Sequence, residues 1–180
     1  IMQREIMFAG FGGQGIMLAG KILAKAALHA GYEVSWIPSY GPEMRGGTAY
    51  CTVVLADHPI GSPVIPNPSD LVVMNRPSLE KFGPEIKSGG ICMTNGSLIP
   101  IRVNRPDIDE FVVNCNDIAF ELKAPRSANI VALGAFAGRC KLVDMKLIEE
   151  AVADEFASKP KVIPINFEAL KRGAAVAAQR

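Results

Sequence analysis

Residues 5–28, EIMFAGFGGQGIMLAGKILAKAAL, decide the fold predicted for this chain. The apolar run Ile6–Ala9 is typical of a buried strand, and a cluster of four glycines follows it directly. From Gly15 to Ala30 apolar residues recur near helical spacing, and Gly31 ends that pattern. The stretch therefore predicts a strand, a tight glycine loop and a helix, in that order.

Beyond this unit, short apolar strands alternate with helical patterns. The predicted strands cover residues 34–37, 48–55, 70–74, 91–94 and 110–113, and the predicted helices cover residues 77–82, 117–122, 127–140, 144–157 and 167–178. Such alternation is typical of a mostly parallel sheet with helices on both faces. The expected fold class is α/β, a three-layer α/β/α arrangement with a Rossmann-like glycine loop after the first strand. Because neither a repeat nor a compositional boundary is evident, residues 1–180 are expected to form a single domain.

The composition is that of a globular protein and argues against several functional classes. Hydrophobic residues make up 49% of the chain and charged residues 21%, which excludes a disordered chain. The 19 Lys and Arg residues are balanced by 18 Asp and Glu residues, so no broad nucleic-acid surface is expected. No apolar run reaches the roughly 18 residues of a membrane span, and no signal-peptide pattern opens the chain.

The cysteines do not follow a metal-binding or disulfide pattern. They are scattered without a C-x-x-C pair, at Cys51, Cys92, Cys115 and Cys140. Neither structural disulfides nor a zinc or iron–sulfur site built from this chain alone is therefore expected. Cys51 and Cys92 fall in strand patterns and are predicted to be core residues. We expect a soluble protein of the reducing cytoplasm.

The glycine loop has the G-x-G-x-x-G spacing of a phosphate-binding turn, with the residues Gly10, Phe11, Gly12, Gly13, Gln14 and Gly15. Glycines allow a tight turn and a close approach of the backbone to a ligand. The free N–H groups and the dipole of the following helix attract an anion. The alternative is that these glycines only let the strand and the helix pack closely. The motif alone does not name a ligand.

Two nucleotide-binding interpretations each lack a required residue. NAD binding needs an acidic residue near the end of the second strand, where this chain has Ser35-Trp36-Ile37-Pro38. Glu33 lies at the opposite end of that strand. Residues 15–21 fit G-x-x-x-x-G-K, but Ile22 stands where a P-loop needs Ser or Thr for magnesium. Lys21 remains a candidate ligand contact, with a solvated helix lysine as the alternative.

A second glycine-rich loop, Tyr40–Gly47 (YGPEMRGG), follows the second strand. In a parallel sheet this loop lies at the same carboxyl edge as the first one, where open α/β sheets bind ligands. Arg45 is suited to hold a phosphate with the help of the Gly46 and Gly47 amides, although a tight turn with an exposed arginine fits equally well. Together the two loops indicate a polyphosphate ligand other than a dinucleotide redox cofactor.

The motifs GFGGQG, SYGPEMRGGTA, IGSP, NRPSLEKF and NIVALGAFAG together resemble the gamma subunit of 2-oxoacid:ferredoxin oxidoreductases. The resemblance extends from about Arg4 to Ala157, and PSYGPEMRGG is its most specific part. It is nearer to the 2-oxoglutarate and branched-chain 2-oxoacid types than to the pyruvate type. It implies a complex of anaerobic metabolism that oxidatively decarboxylates a 2-oxoacid to its acyl-CoA and passes the electrons to ferredoxin. It also implies alpha and beta partner subunits that hold thiamine diphosphate and [4Fe-4S] clusters, with a ferredoxin-like delta subunit as a further candidate partner.

Within such a hetero-oligomer, the resemblance assigns this chain coenzyme A binding and assembly, and not the chemical step. By similarity to the coenzyme A-engaging domain of pyruvate:ferredoxin oxidoreductase, residues 10–15 would face the phosphates of the coenzyme. Arg45, Gly46 and Gly47 would lie at the same site, and Lys21 matches a lysine of that pattern. The lack of cluster cysteines, of a thiamine motif and of a paired nucleophile fits a non-catalytic subunit, and neither histidine has an evident partner. A stand-alone nucleotide-binding enzyme and a purely structural subunit are the alternatives.

Two segments are candidate contacts with other subunits. Residues 127–140 carry Gly134 and Gly138 four residues apart, so that another backbone can approach closely. Internal helix packing is the favoured interpretation of this spacing, and a subunit contact is the alternative. The proline-rich segment Pro59–Pro68 is the second candidate, because long rigid loops often bind partners.

Overall fold

The computed structural model describes residues 2–40 and 48–179 of the chain. The strands within these ranges are β1 (Gln3–Phe11), β2 (Glu33–Tyr40), β3 (Thr48–Ala56), β4 (Asp70–Val73), β5 (Ile91–Asn95) and β6 (Asp109–Val113). The α-helices are α1 (Ile16–His29), α2 (Arg76–Phe82), α3 (Cys115–Glu121), α4 (Ala128–Cys140), α5 (Met145–Glu155) and α6 (Ile163–Ala178). Each predicted strand and helix is confirmed, and the boundaries differ from the predicted ones by a few residues.

The strands form one six-stranded sheet in the order β2-β3-β1-β4-β5-β6. The pairs β1–β4, β4–β5 and β5–β6 are parallel, whereas β3 runs antiparallel to both of its neighbours. The short interval between β2 and β3 explains this exception, because a parallel crossover needs about a dozen residues or more. The predicted mostly parallel sheet is confirmed. Since β2 and β1 both oppose β3, their carboxyl ends lie at the same edge of the sheet.

Helices cover both faces of the sheet, but unequally. One face packs against five helices, α1, α3, α4, α5 and α6, in a large core that includes Phe8, Ile22 and Leu133. The other face packs against α2 and the segment that follows β5, in a smaller core that includes Met7 and Leu79. Adjacent residues of β1 therefore enter different cores, as the alternation of side chains along a strand requires. The predicted three-layer arrangement is confirmed, with one thick and one thin helical layer.

Gly134 and Gly138 of α4 face α6. A Cβ atom on Gly134 would overlap the backbone carbonyl of Leu170, and one on Gly138 would stand 3.0 Å from the Cα atom of Ala174. Gly173 of α6 in turn faces the backbone of α4. The small residues thus let two helices of this chain pack backbone to backbone, which confirms the interpretation as internal packing. Contact of the proline-rich segment with another subunit stays a prediction.

Cys51 and Cys92 are buried in the sheet, as predicted, and Cys115 is buried as well. Burial raises the pKa of the Cys51 and Cys92 thiols to about 12, so both are protonated at neutral pH. Within residues 2–40 and 48–179, no cluster of three or more His, Cys, Asp or Glu side chains could hold a metal ion. None of the helices in these ranges is both long enough and apolar enough to cross a membrane.

Candidate functional site

A crevice of about 460 Å³ opens at the carboxyl edge of the sheet, between the ends of β1 and β4. After β1 the chain passes through α1 to β2, which lies on one side of β1 in the strand order. After β4 it passes through α2 to β5, which lies in the opposite direction along the sheet. Open α/β sheets bind ligands where the strand order diverges in this way. The volume also lies within the roughly 300–1,000 Å³ that is usual for small-molecule sites. The crevice is therefore the candidate functional site.

Three parts of the chain line the crevice. Gly13, Gln14 and Gly15 come from the glycine loop, and Met74 follows β4. On the opposite side lie Asn116 in the first turn of α3 and residues 125–128 at the start of α4, with Pro125, Arg126 and Ala128 in contact with the cavity. None of these described lining residues is acidic, and Arg126 carries a positive charge. The crevice is thus suited to an anionic ligand.

The glycine loop turns from β1 into α1 with two residues in the left-handed region. Gly13 has φ 91° and Gly15 has φ 74°, and only glycine adopts such angles without strain. Gly12 and Gly13 are exposed, and a Cβ atom on Gly13 would meet no other atom within 4 Å. The first turn of α1 has no acidic residue, and no described side chain caps its N–H groups. These N–H groups remain available to an anion in the crevice.

The side chain of Gln14 holds the loop from within. The Phe11 N–H donates a hydrogen bond to Oε1 of Gln14 at 2.6 Å, and Nε2 of Gln14 donates to the Met74 carbonyl at 3.2 Å. A Cβ atom on Gly10 would stand 2.5 Å from Oε1 of Gln14, so Gly10 makes room for this side chain. Gly10 and Gln14 therefore join the loop to the end of β4. The close packing at Gly10 agrees with the alternative that the sequence left open for the glycines, and the contact of residues 10–15 with a phosphate stays a prediction.

The start of α4 approaches the glycine loop from the other side. Nδ2 of Asn129 donates a hydrogen bond to the Gly15 carbonyl at 3.0 Å. A Cβ atom on Gly15 would stand 2.9 Å from Cγ of Asn129, so the lack of a side chain at residue 15 permits this contact. Asn129 is only 5% exposed, yet its Oδ1 atom has no hydrogen-bond partner among the described residues. A buried oxygen without a protein partner is rare, and an ordered water molecule can supply the missing donor.

Arg126, Asn116 and Asn129 escaped the sequence analysis, although all three lie at the site. Arg126 belongs to a 3₁₀ turn, Pro125–Ser127, that precedes α4, and its side chain is exposed. Oδ1 of Asn116 accepts a hydrogen bond from Nδ2 of Asn95 at 2.7 Å, which ties α3 to the end of β5. No motif marks Arg126 or Asn116, and Asn129 opens NIVALGAFAG, a motif that carried the resemblance without indicating a role at the glycine loop. Only the order of the strands in the sheet shows that these residues lie at the same edge as the glycine loop.

Lys21 lies away from the crevice lining. Its ammonium group is 3.4 Å from Oε1 of Glu155 on α5, and Lys25 lies 2.5 Å from the same oxygen. The sequence left a solvated helix lysine as the alternative for Lys21, and this partly exposed ion pair agrees with it; the contact of Lys21 with a ligand stays a prediction. His58 also has a partner that the sequence analysis did not assign, since its Nδ1 atom lies 2.9 Å from the carboxylate of Asp57.

The predicted second loop lies largely outside the described residues. Arg45, Gly46 and Gly47 fall between residues 41 and 47, so their place at the site stays a prediction. The strand that precedes them ends at the expected edge, because Tyr40 pairs with Ala49, which pairs with Gly10 of β1. The chain therefore enters residues 41–47 at the edge of the sheet where the glycine loop and the crevice lie.

Comparison with known sequences agrees with this arrangement. The family model for pyruvate ferredoxin/flavodoxin oxidoreductase matches residues 5–176. Ketoisovalerate oxidoreductase subunit VorA of Methanothermobacter marburgensis is 36% identical over 171 residues, which cover 94% of this chain and 36% of that protein. This chain thus spans about a third of the length of that relative. The 2-oxoglutarate synthase subunit KorC of Methanocaldococcus jannaschii is 38% identical over 156 residues, which cover 85% of this chain and 83% of KorC.

Solved structures show the same fold. The gamma subunit of a keto/oxoacid ferredoxin oxidoreductase from Geobacter sulfurreducens has a TM-score of 0.85 at 27% identity, over 98% of this chain and 99% of that one. The 2-oxoglutarate:ferredoxin oxidoreductase of Magnetococcus marinus, with 2-oxoglutarate, coenzyme A and succinyl-CoA bound, has a TM-score of 0.88 at 26% identity. That match covers 98% of this chain and 31% of the larger one. The resemblance read from the motifs is confirmed: the chain belongs to the pyruvate ferredoxin/flavodoxin oxidoreductase family.

Proposed function

We propose that this chain is the gamma component of a 2-oxoacid:ferredoxin oxidoreductase and that it binds coenzyme A in the crevice. The complex oxidatively decarboxylates a 2-oxoacid, 2-oxoglutarate or a branched-chain acid, to its acyl-CoA and reduces ferredoxin. The crevice at the carboxyl edge is the observation that carries this proposal, because it offers free N–H groups and a cation to a phosphate-bearing ligand. The relatives named for 2-oxoglutarate and ketoisovalerate support the choice of substrate class.

The proposed division of labour places the chemistry on other subunits. Alpha and beta subunits hold thiamine diphosphate and the [4Fe-4S] clusters, and a ferredoxin-like delta subunit is a further partner. Burial keeps the Cys51 and Cys92 thiols protonated, so neither offers the thiolate that a cluster ligand requires. The chain then supplies a binding surface for coenzyme A and a scaffold for the complex.

The proposed contacts to coenzyme A are made by the backbone of the glycine loop. Gly12 and Gly13 are exposed, so the phosphates can approach the backbone of the loop there. The N–H groups of the first turn of α1 donate to the same phosphates. The conformation of the loop depends on the contacts of its other residues, Gly10, Phe11, Gln14 and Gly15. Arg45, Gly46 and Gly47 are proposed to complete the site from residues 41–47, whereas the pairing of Lys21 with Glu155 makes Lys21 the least supported of the predicted contacts.

The first test is an anaerobic pull-down of the tagged chain from its own cells. The eluate is assayed for reduction of a viologen dye that depends on both a 2-oxoacid and coenzyme A. We expect activity together with co-purifying subunits that contain thiamine diphosphate and iron–sulfur clusters, and the preferred 2-oxoacid names the substrate. A stable chain recovered alone, inert in this assay and able to bind NAD or ATP saturably, would contradict the proposal.

Gly12→Val in the assembled complex tests the site itself. A side chain at this exposed loop position blocks the approach of a phosphate, so we expect the KM for coenzyme A to rise about tenfold or more with the thiamine content unchanged. Ala175→Val, at an exposed position of α6, is the control and should leave the KM unchanged. An equal loss of every activity would mean that the loop only packs the subunit.

A further inference from the structure

We propose that the outer edge of β6, the side of this strand that faces away from β5, pairs with an extended strand of a partner subunit. The sheet of this chain then continues across the subunit interface. The bound strand supplies main-chain donors and acceptors to β6 and an acceptor oxygen to the guanidinium of Arg139. The inference rests on the proposed function in one respect, that the chain assembles with other subunits, and it is independent of coenzyme A binding.

The main-chain groups of Glu110 and Val112 point away from the sheet. The Asp109 N–H donates a hydrogen bond to the Gly90 carbonyl at 2.8 Å, so the main chain of Asp109 faces β5. Successive residues of a strand alternate in direction, and the N–H and carbonyl of one residue in a parallel ladder face the same neighbour. Glu110 and Val112 therefore face outward. Because β6 is the last strand of the described sheet, these groups have no neighbouring strand.

A groove of about 680 Å³ lies along these outward-facing groups. It is lined by residues 109–112 of β6, by Arg139 of α4, and by Val176 and Gln179 at the end of α6. Residues that face the same way on a strand are about 7 Å apart, so a short extended segment spans both outward-facing residues of β6. Each of these two residues offers one donor and one acceptor. A strand satisfies both kinds of group, whereas an anion satisfies only the donors.

Arg139 is the independent sign that an acceptor belongs in this groove. Its side chain is only 13% exposed, and its guanidinium carbon lies 4.3 Å from the centroid of the Phe111 ring. Nε is buried and has no hydrogen-bond partner among the described residues, since Oδ2 of Asp109 lies 3.6 Å away. Buried donors without an acceptor are costly. The stacking on Phe111 thus holds a guanidinium in the groove that a carbonyl or carboxylate of the bound strand can satisfy.

The strand at the opposite end of the sheet, β2, is protected against such pairing. The Asp57 N–H donates to the Met2 carbonyl at 3.1 Å, so the odd-numbered residues of β3 face β1 and the even-numbered ones face β2. In the register of β2 with β3, Val34, Trp36 and Pro38 then face outward. Pro38 has no N–H group and interrupts any ladder that a further strand could form there. The five residues of β6 include no proline, so its edge is open to a partner strand.

A partner subunit fits this edge better than a second copy of the chain does. Only two residues of β6 have outward-facing main-chain groups, and a short two-stranded pairing is marginal in water by itself. A hetero-oligomer adds the pairing to its other contacts, so a short strand suffices there. Asp109 and Glu110 also place two carboxylates at the start of β6, and charged residues on an edge strand oppose self-association.

Hydrogen exchange of single amides, measured in the isolated chain and in the assembled complex, tests the pairing directly. In the isolated chain the amides of Glu110 and Val112 should exchange rapidly, because they have no acceptor. In the complex we expect their exchange to be about tenfold slower or more. The outward-facing amides of Val34 and Trp36 on β2 are the internal control and should exchange at the same rate in both samples.

Val112→Pro tests the contribution of the pairing to assembly. The substitution removes an outward-facing N–H and keeps the ladder to β5, since the main chain of residue 112 faces away from β5. We expect the recovery of partner subunits in the anaerobic pull-down to fall about tenfold. Val34→Pro, the same substitution at an outward-facing position of β2, is the matched control and should leave this recovery within about twofold. If Val112→Pro does not fold, Arg139→Gln is the required variant, and its recovery should fall about threefold.

Other outcomes overturn the proposal in distinguishable ways. Unchanged exchange at Glu110 and Val112 in a complex that has assembled excludes the pairing, and so does equal slowing of the amides on β2 and β6. A concentration-dependent dimer of the isolated chain, with slow exchange at these two amides, assigns the edge of β6 to a second copy instead. A chain that recovers no other subunit contradicts the proposed function, and the pairing with it.

Discussion

The structure gives Gln14 a structural role that the sequence did not predict. Its place in the motif predicted a contact with phosphate, but both polar atoms of its amide bind the chain itself, at the Phe11 N–H and at the Met74 carbonyl. We infer that Gln14 positions the loop and that the ligand meets the backbone. A positioning residue affects ligand binding through the order of the loop, which can be measured apart from activity.

Gln14→Ala removes both hydrogen bonds and leaves the Phe11 N–H without its partner. We expect the free energy of unfolding to fall by about 1–3 kcal/mol, because a half-buried donor and acceptor lose their bonds. Hydrogen exchange of the Phe11 amide should become faster, and the KM for coenzyme A should rise with kcat unchanged. Gln14→Glu keeps an acceptor for Phe11 but loses the donor to Met74, so exchange at Phe11 should stay slower than in the alanine variant. Unchanged exchange at Phe11 in Gln14→Ala would contradict a positioning role.

At the scale of elements, the contact between α4 and α6 depends on glycine. Gly134→Ala places a methyl group against the backbone carbonyl of Leu170, where no flexible side chain can move aside. We expect the helices to separate and the free energy of unfolding to fall by about 2–3 kcal/mol, despite the better helix propensity of alanine. Gly61→Ala is the control, because a Cβ atom there meets nothing within 4 Å. Denaturant unfolding of both variants measures the difference, and equal midpoints would show that α6 does not constrain Gly134.

The elements themselves were predictable because each depends on local patterns. Apolar periodicity and glycine marked α1, and continuous apolar runs marked β4 and β5, without reference to the rest of the chain. The antiparallel direction of β3 followed from the short interval after β2, a signal that the sequence analysis did not use. Arg126 could not be predicted as a site residue, because no local pattern marks it, and the motif NIVALGAFAG that begins with Asn129 does not indicate a contact with the glycine loop. These residues lie near the glycine loop only because of the order of the strands in the whole sheet.

At the scale of the whole molecule, the carboxyl edge and the amino edge of the sheet differ in their roles. The carboxyl edge holds the crevice, where no described side chain caps the first turn of α1 or of α4. At the amino edge lies Asp70, the first residue of β4, which is fully buried. Nε of Arg4 on β1 donates to Asp70 at 2.9 Å, and the Ile91 N–H at the start of β5 donates to it at the same distance. One carboxylate thus joins three neighbouring strands.

Asp70→Ala tests whether these two edges are independent. The variant leaves the partly buried guanidinium of Arg4 and the Ile91 N–H without their acceptor, so we expect the free energy of unfolding to fall by about 3 kcal/mol or more. Because the crevice lies at the other end of the strands, the KM of the assembled complex for coenzyme A should stay within about twofold of wild type below the unfolding temperature. Arg126→Gln should show the reverse, a raised KM with the unfolding free energy within about 0.5 kcal/mol of wild type. A large KM effect in Asp70→Ala, measured on protein shown to be folded, would mean that order at the amino edge is transmitted along β1 and β4 to the glycine loop.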